Sequence, residues 1–414
     1  MTPRLIETEP LSGTAAGSTL AGSAAALLET HPSAAPVEKR PLRFVELDAL
    51  RGVAAMMVVL FHYSLGTYIV TREKHNHVVF LLRPFIAGHQ AVILFFLLSG
   101  FVLSLSTWKG SATPYKQYFI RRVCRIYLPY LGALGIGILA CGLFQHILPT
   151  PDWPLRPWSE PPTLHTIWQH VLFLGDYDNW RYNQSFWTLS VEMRISLVFP
   201  FLCLLLLRMK TGPAVALAAV TSLAALAYVF VYPAGHGSRY PGGYAYTVHY
   251  VAFFILGALL ARRLSREPWP SIPPALRHAM VPAAIVLFTY SVLLNRLVPA
   301  WSQGTAEMAT DWPVAVGGLG LIYLAATHRH VKLTLSHAIP RYLGQISYSV
   351  YLLHNMVLYA LRIVAHERFS VVVLFPIYIV STITLASLFH FAVERPAMKL
   401  GRRLTAPRVR SASV

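Results

Sequence analysis

The sequence predicts an all-α fold: a polytopic integral membrane bundle of about ten transmembrane helices, with both termini cytoplasmic. Three observations predict it. Hydrophobic residues fill 55% of the 414 positions and charged residues only 13%, about half the charged share of an ordinary soluble domain. Apolar windows of roughly 20 residues, enough to cross about 30 Å of hydrocarbon, recur about ten times. The basic residues alternate from loop to loop rather than spreading evenly.

In chain order the windows lie at residues 49–70, 86–107, 127–148, 187–207, 213–232, 247–264, 279–298, 312–327, 344–364 and 370–393. The first carries Arg51 and His62, the second the small pair Ser99 and Gly100, and the third follows the basic stretch RRVCRIYLP. The fourth takes Glu192 and Arg194 inside, the ninth holds a polar stripe of Tyr348, Tyr351, His354 and Asn355, and the tenth ends at ERP, read as a helix stop with a local charge pair. The others rest on hydropathy alone.

The chain has 35 Lys and Arg against 17 Asp and Glu, a net charge of +18. With an inward N-terminus, most of the basic residues fall on the cytoplasmic side: Arg4, Lys39, Arg40, Arg43, the runs at 109–125, 262–277, 329–341 and 395–410, and Arg208 with Lys210. This is the positive-inside pattern, and it accounts for the basicity without nucleic acid. Cys124, Cys141 and Cys203 stand far apart with no CxxC, so neither a disulfide nor a metal site is expected, and the loop pair His75 and His77 lacks the company a metal needs.

Three segments follow. Residues 1–42, rich in Ala, Ser, Gly and Thr and with glutamates where an export signal needs a basic start, are expected to form a disordered cytoplasmic tail. Residues 43–400 form one membrane domain, and 401–414 a basic cytoplasmic tail. The connection 149–186, with PTPDWPLRPWSEPP and GDYDNWRYNQS, is expected to make an irregular outer cap, anchored at the interface by Trp153, Trp158, Trp168 and Trp180. No internal repeat is visible, which disfavours transporters built from inverted halves.

The chemistry starts on the first helix. Eleven residues separate Arg51 from His62, a rise of about 16 Å that brings the side chains back to within about 20° of one face. Asp48, one turn before Arg51, shares that face and can pair with it. A snorkelling arginine and a backbone-bonded histidine are the bland alternative, but ionisable residues inside membrane helices are functional by default.

LDALRGVAAMMVVLFH (47–62), FFLLSGFVLS (95–104), RRVCRIYLP (121–129), FWTLSVEMRISLVFP (186–200), ISYSVYLLHN (346–355) and ERP (394–396) together resemble, in order, the motifs of the membrane-bound acyltransferase 3 family, whose members O-acylate cell-surface sugars. The resemblance spans residues 43–400. It implies an O-acyltransferase of the inner or plasma membrane. An acyl group, acetyl first among candidates, would pass from cytoplasmic acyl-CoA to a hydroxyl of a carbohydrate or glycolipid acceptor, with no permanently bound cofactor. An extracytoplasmic hydrolase-like domain of the kind many relatives carry is not expected here.

On this reading His62 is the general base, in the neutral form a base needs, or the carrier of a covalent acyl group. Arg122 and Arg125, three apart on one face, and Arg121 beside them would hold the phosphates of coenzyme A, with Arg51 along the pantetheine path. Glu192 would orient His62 or bind sugar, or else pair with Arg194 or a neighbouring cation; Ser99 would face the developing oxyanion. Trp187 and Tyr351 would touch substrate, and Asp48 would complete the charge cluster. The polar stripe of the ninth helix reads first as packing glue. Two other classes compete: a transporter or exporter using His62, Arg51 and Glu192 as a proton relay, and a non-catalytic scaffold. The acceptor, the acyl length and the oligomeric state are not in the sequence.

Overall fold

A computed structural model describes residues 45–66, 82–111, 113–144, 158, 160–173, 180–232, 243–266, 272–291, 293–294, 303–365 and 368–406. All lie in the second of two units, Phe44–Val414. The tail at 1–42, His75, His77 and Trp153 fall outside the described residues.

Among the described residues the secondary structure is helical, with no strand. The helices are α1 (Val45–Gly66), α2 (Gly88–Trp108), α3 (Tyr115–Arg122), α4 (Leu128–Phe144), α5 (Leu164–Leu172), α6 (Phe186–Arg208), α7 (Thr211–Val231) and α8 (Tyr244–Leu264). After them come α9 (Pro274–Tyr290), α10 (Gln303–Thr327), α11 (Arg329–Leu335), α12 (Ala338–Ala365), α13 (Val371–Phe389) and α14 (Arg395–Leu404). Eight spans among the described residues are long and apolar enough to cross a membrane. They match eight of the ten expected windows; α1, of 22 residues, and α9, of 17, occupy the other two. The helix α10 begins well before residue 312, because Glu307 and Asp311 lower the hydropathy of a stretch that is helical all the same.

Packing centres on α1, which lies along α12 and α2, while α2 lies along α8. Glycines allow both contacts. A Cβ on Gly52 would overlap the backbone of Gly344, and one on Gly344 would overlap the backbone of Asp48 and Ala49. Gly100 meets the backbone of Phe254, and Gly257 that of Leu97, so α2 and α8 touch main chain to main chain. Gly100→Val is therefore expected to force these helices apart at a cost of roughly 1–3 kcal/mol. The check is the melting temperature of the detergent-purified protein; a variant that melts with the native chain refutes the contact.

Two π turns interrupt the long spans. Val123–Tyr127 joins α3 to α4, and His390–Glu394 joins α13 to α14. A π turn leaves a carbonyl out of its usual place in the ladder, and here Tyr348 donates to Ile126 O at 2.8 Å. The second turn corrects the reading of ERP as a helix stop. Pro396 sits in the first turn of α14, where its missing N–H costs little, and the chain stays helical to Leu404. Glu394 is buried and accepts from Ser349 Oγ at 2.6 Å and His390 Nδ1 at 2.9 Å, in place of a local pair with Arg395.

The outer connection is also more regular than expected. Thr163 opens α5 with a reciprocal capping box to Thr166. The helix runs back along α4: Cys141 Sγ donates to Glu160 O at its start, and Tyr130 and Tyr127 donate to His170 O and Val171 O at its end. The segment thus folds back along α4, with its last carbonyls taken up by tyrosine hydroxyls. Phe173 closes α5 in the left-handed region, φ 54°, and Arg194 donates twice to its carbonyl, at 3.1 and 2.8 Å. Trp158 is buried against Phe144 and Tyr359, its indole donating to Tyr182 O, so it is a plug and not an interface anchor. Trp168 and Trp180 are exposed.

Candidate active site

Two histidines meet where α1 and α12 run side by side. His62 Nδ1 lies 3.0 Å from Val58 O, and His354 Nδ1 lies 3.1 Å from Val350 O, each the carbonyl one turn back. A carbonyl accepts only, so both Nδ1 atoms carry hydrogen and both Nε2 atoms carry the lone pair. The lone pair of His354 lies 3.1 Å from His62 Nδ1, which shares its proton between Val58 O and His354. The Nε2 of His62 has no hydrogen-bond partner among the described residues. His62 keeps 9% of its surface and His354 none, so the ring whose Nε2 has no partner among the described residues is the less enclosed of the two.

A chain of amides and a hydroxyl orders His354. Asn355 Nδ2 donates to Ser185 Oγ at 2.8 Å, which leaves the Ser185 proton for His354 Nε2 at 3.4 Å. Asn183 anchors this chain, donating to Leu352 O and accepting from Ser185 N. Tyr351 bonds Thr188 at 2.7 Å, with its ring 5.8 Å from His354 and edge-on to Phe95. Trp187 is half-buried, 6.0 Å from the Tyr250 ring.

Charges gather at the other end of α1. Arg51 pairs with Asp48 at 3.7 Å and reaches Leu98 O on α2 at 3.5 Å. Arg122 is buried: Nη2 donates to Glu192 at 2.8 Å, and Nε donates to Ser196 Oγ at 3.0 Å. Ser99 Oγ also donates to Glu192, at 2.9 Å, so its proton is committed there. Of the partners considered for Glu192, the structure gives it the cation of a neighbouring helix; Arg194 instead holds Phe173 O and lies over Tyr244.

The π turn corrects one expectation. Three residues at α-helical pitch would put Arg122 and Arg125 on one face, but the wider turn between them separates the two. Arg122 faces inward to Glu192, while Arg125 is exposed, without a hydrogen bond or ion pair among the described residues. It stays within electrostatic reach of Arg51, Arg122, Asp48 and Glu192. Arg121 donates to Thr405 at 2.8 Å and ties α3 to the end of α14.

A second buried network was not anticipated. Asp311 on α10 accepts from His89 on α2 at 2.6 Å and His249 on α8 at 3.1 Å, and His249 reaches Ser222, which takes the Trp312 indole N–H at 2.8 Å. An acid at the edge of an apolar stretch was the available signal. Among the described residues no group of three or more metal-ligating side chains is placed to hold a metal ion.

The comparisons with known proteins agree with this architecture. The chain is 27% identical over 402 residues to the acyltransferase MdmB of Streptomyces mycarofaciens, covering 88% of this chain and 94% of that protein. It is 22% identical over 392 residues to the O-acetyltransferase PaAT-1 of Phomopsis amygdali, covering 78% and 74%. No solved structure gives a match. The family model described as an acyltransferase domain matches residues 44–391, so the chain belongs to the acyltransferase 3 family and is a multi-pass membrane acyltransferase.

Proposed function

We propose that the protein transfers an acyl group, acetyl first among candidates, from cytoplasmic acyl-CoA to a hydroxyl of an exported or surface glycan at the inner or plasma membrane, with His62 as general base. The observation that supports this reading is the Nε2 of His62, without a hydrogen-bond partner among the described residues, on the same helix whose other end holds Arg51 within the arginine cluster. Arg125 receives the donor phosphates, with Arg51 along the pantetheine path, since Arg122 is engaged by Glu192 and Arg121 by Thr405. Nε2 takes the acceptor proton as the hydroxyl oxygen attacks the thioester carbonyl. The C–S bond then breaks, and the imidazolium returns the proton to the leaving thiolate. No net proton is consumed. An exporter relay through Glu192 is less favoured, because its carboxylate is held by Arg122 and Ser99.

The test is labelled acetyl-CoA with the detergent-purified protein and candidate glycans, reading glycan label and free coenzyme A together. Equal release of both supports the reading; no transfer to any hydroxyl acceptor from any acyl-CoA ends it. Arg125→Glu is expected to raise the KM for acyl-CoA by about 10–100-fold, the range for lost hydrogen bonds to charged groups. An unchanged KM removes Arg125 from the donor site.

A further inference from the structure

Away from the residues of the candidate active site, between α9 and the start of α11, lies an open cavity of about 110 Å³. It is lined by Pro274, Arg277, His278, His328, Arg329 and His330. Five of these carry or can carry positive charge, and no carboxylate is among them. His328 Nδ1 accepts from Val331 N, so its Nε2–H donates to His278 Nδ1 at 3.2 Å, and the His330 ring stands about equally far from both, 6.0 and 5.8 Å. Arg277 Nε is buried with no partner, although its Nη2 donates to Ile272 O. The Arg329 guanidinium and the His330 ring make no hydrogen bond among the described residues. Like charges packed without a counter-charge are unfavourable unless something supplies one. Burial, with His278, His330 and Arg277 alongside, pushes the His328 imidazole below its ordinary value, and a bound anion would raise it again.

We infer that this cavity is a binding site for a phosphate group, gripped by Arg277 and Arg329 and hydrogen-bonded by His278 and His330. Guanidinium forks match phosphate oxygens, and a cavity of this size admits one phosphate but not a nucleotide. Two sources share this chemistry: the headgroup of an anionic lipid and a soluble phosphate compound. Leu276 and Leu333, exposed on the same two helices, offer apolar surface to an acyl chain. The site does not depend on the acyl-transfer reading, because none of its residues belongs to the candidate active site.

The test titrates the full-length protein in detergent with dioctanoyl phosphatidic acid, with dioctanoylglycerol as the phosphate-free control. The native protein is expected to bind the first and not the second, and the double variant Arg277→Gln, Arg329→Gln to weaken binding by about tenfold or more. Displacement of the lipid probe by inorganic phosphate assigns the site to a soluble ligand; no displacement assigns it to lipid, and either supports the site. Equal affinity in native and variant, or equal binding of dioctanoylglycerol, overturns it. Should the variant fold poorly, hydrogen exchange on the native protein decides: the probe must slow exchange at 274–280 and 328–331, and unchanged exchange there also overturns the proposal.

Discussion

Replacing His62 by alanine is expected to lower kcat/KM for acyl transfer by about 10²–10⁴-fold, the usual contribution of a positioned general base. Expression, melting temperature and the KM for acyl-CoA should stay near native. The substitution removes one ring that contributes an Nδ1–H bond to Val58 O and a contact with His354, whereas the donor end of α1 is untouched. His354→Ala should give a smaller loss confined to kcat, because it leaves the base in place and takes away only the neighbour that steadies it. Activity within a few-fold of native in His62→Ala would sink the assignment.

The second large effect is on stability. Arg122→Ala leaves Glu192 with only Ser99 as a hydrogen-bond partner among the described residues, in a largely buried setting where the side chains of the pair are 10% and 19% exposed. Breaking a buried pair from one side costs about 3–5 kcal/mol when burial is complete, and about 3 kcal/mol is expected here given the residual exposure. Much of this should return in the double variant Arg122→Met, Glu192→Leu, since no charge is then stranded. Thermal melts of both proteins in one detergent test this. If the single variant melts with the native chain, Glu192 is solvated and the pair is not structural.

Much of the fold was legible because hydropathy is summed over many residues, and such a sum survives local irregularity. The eight matched spans fall in this class. Features that depend on one bond or one distant partner were not legible. A π turn changes hydrogen bonding over five residues and leaves no periodic trace, so the divergence of Arg122 and Arg125 could not be foreseen. Asp311 lay just outside an apolar window that its own charge had shortened, and its partners sit on two other helices. His354 was visible as a polar residue on the ninth helix, but its partner is 292 positions away. The short helix α5 hid in a stretch rich in Pro and Trp, where composition argues for irregular chain.

The glycine contact between α1 and α12 has a mechanical consequence. Gly52 lies ten residues before His62, and Gly344 ten before His354, on two helices that run in the same direction. The touching backbones act as a fulcrum, and the imidazoles ride on matched arms of about 15 Å. A change of about 4° in the angle between the arms moves one ring relative to the other by about 1 Å, enough to cost on the order of 10²-fold in rate. Bulk added at the fulcrum, far from any reacting atom, would thus detune the reaction as surely as an exchange beside the rings.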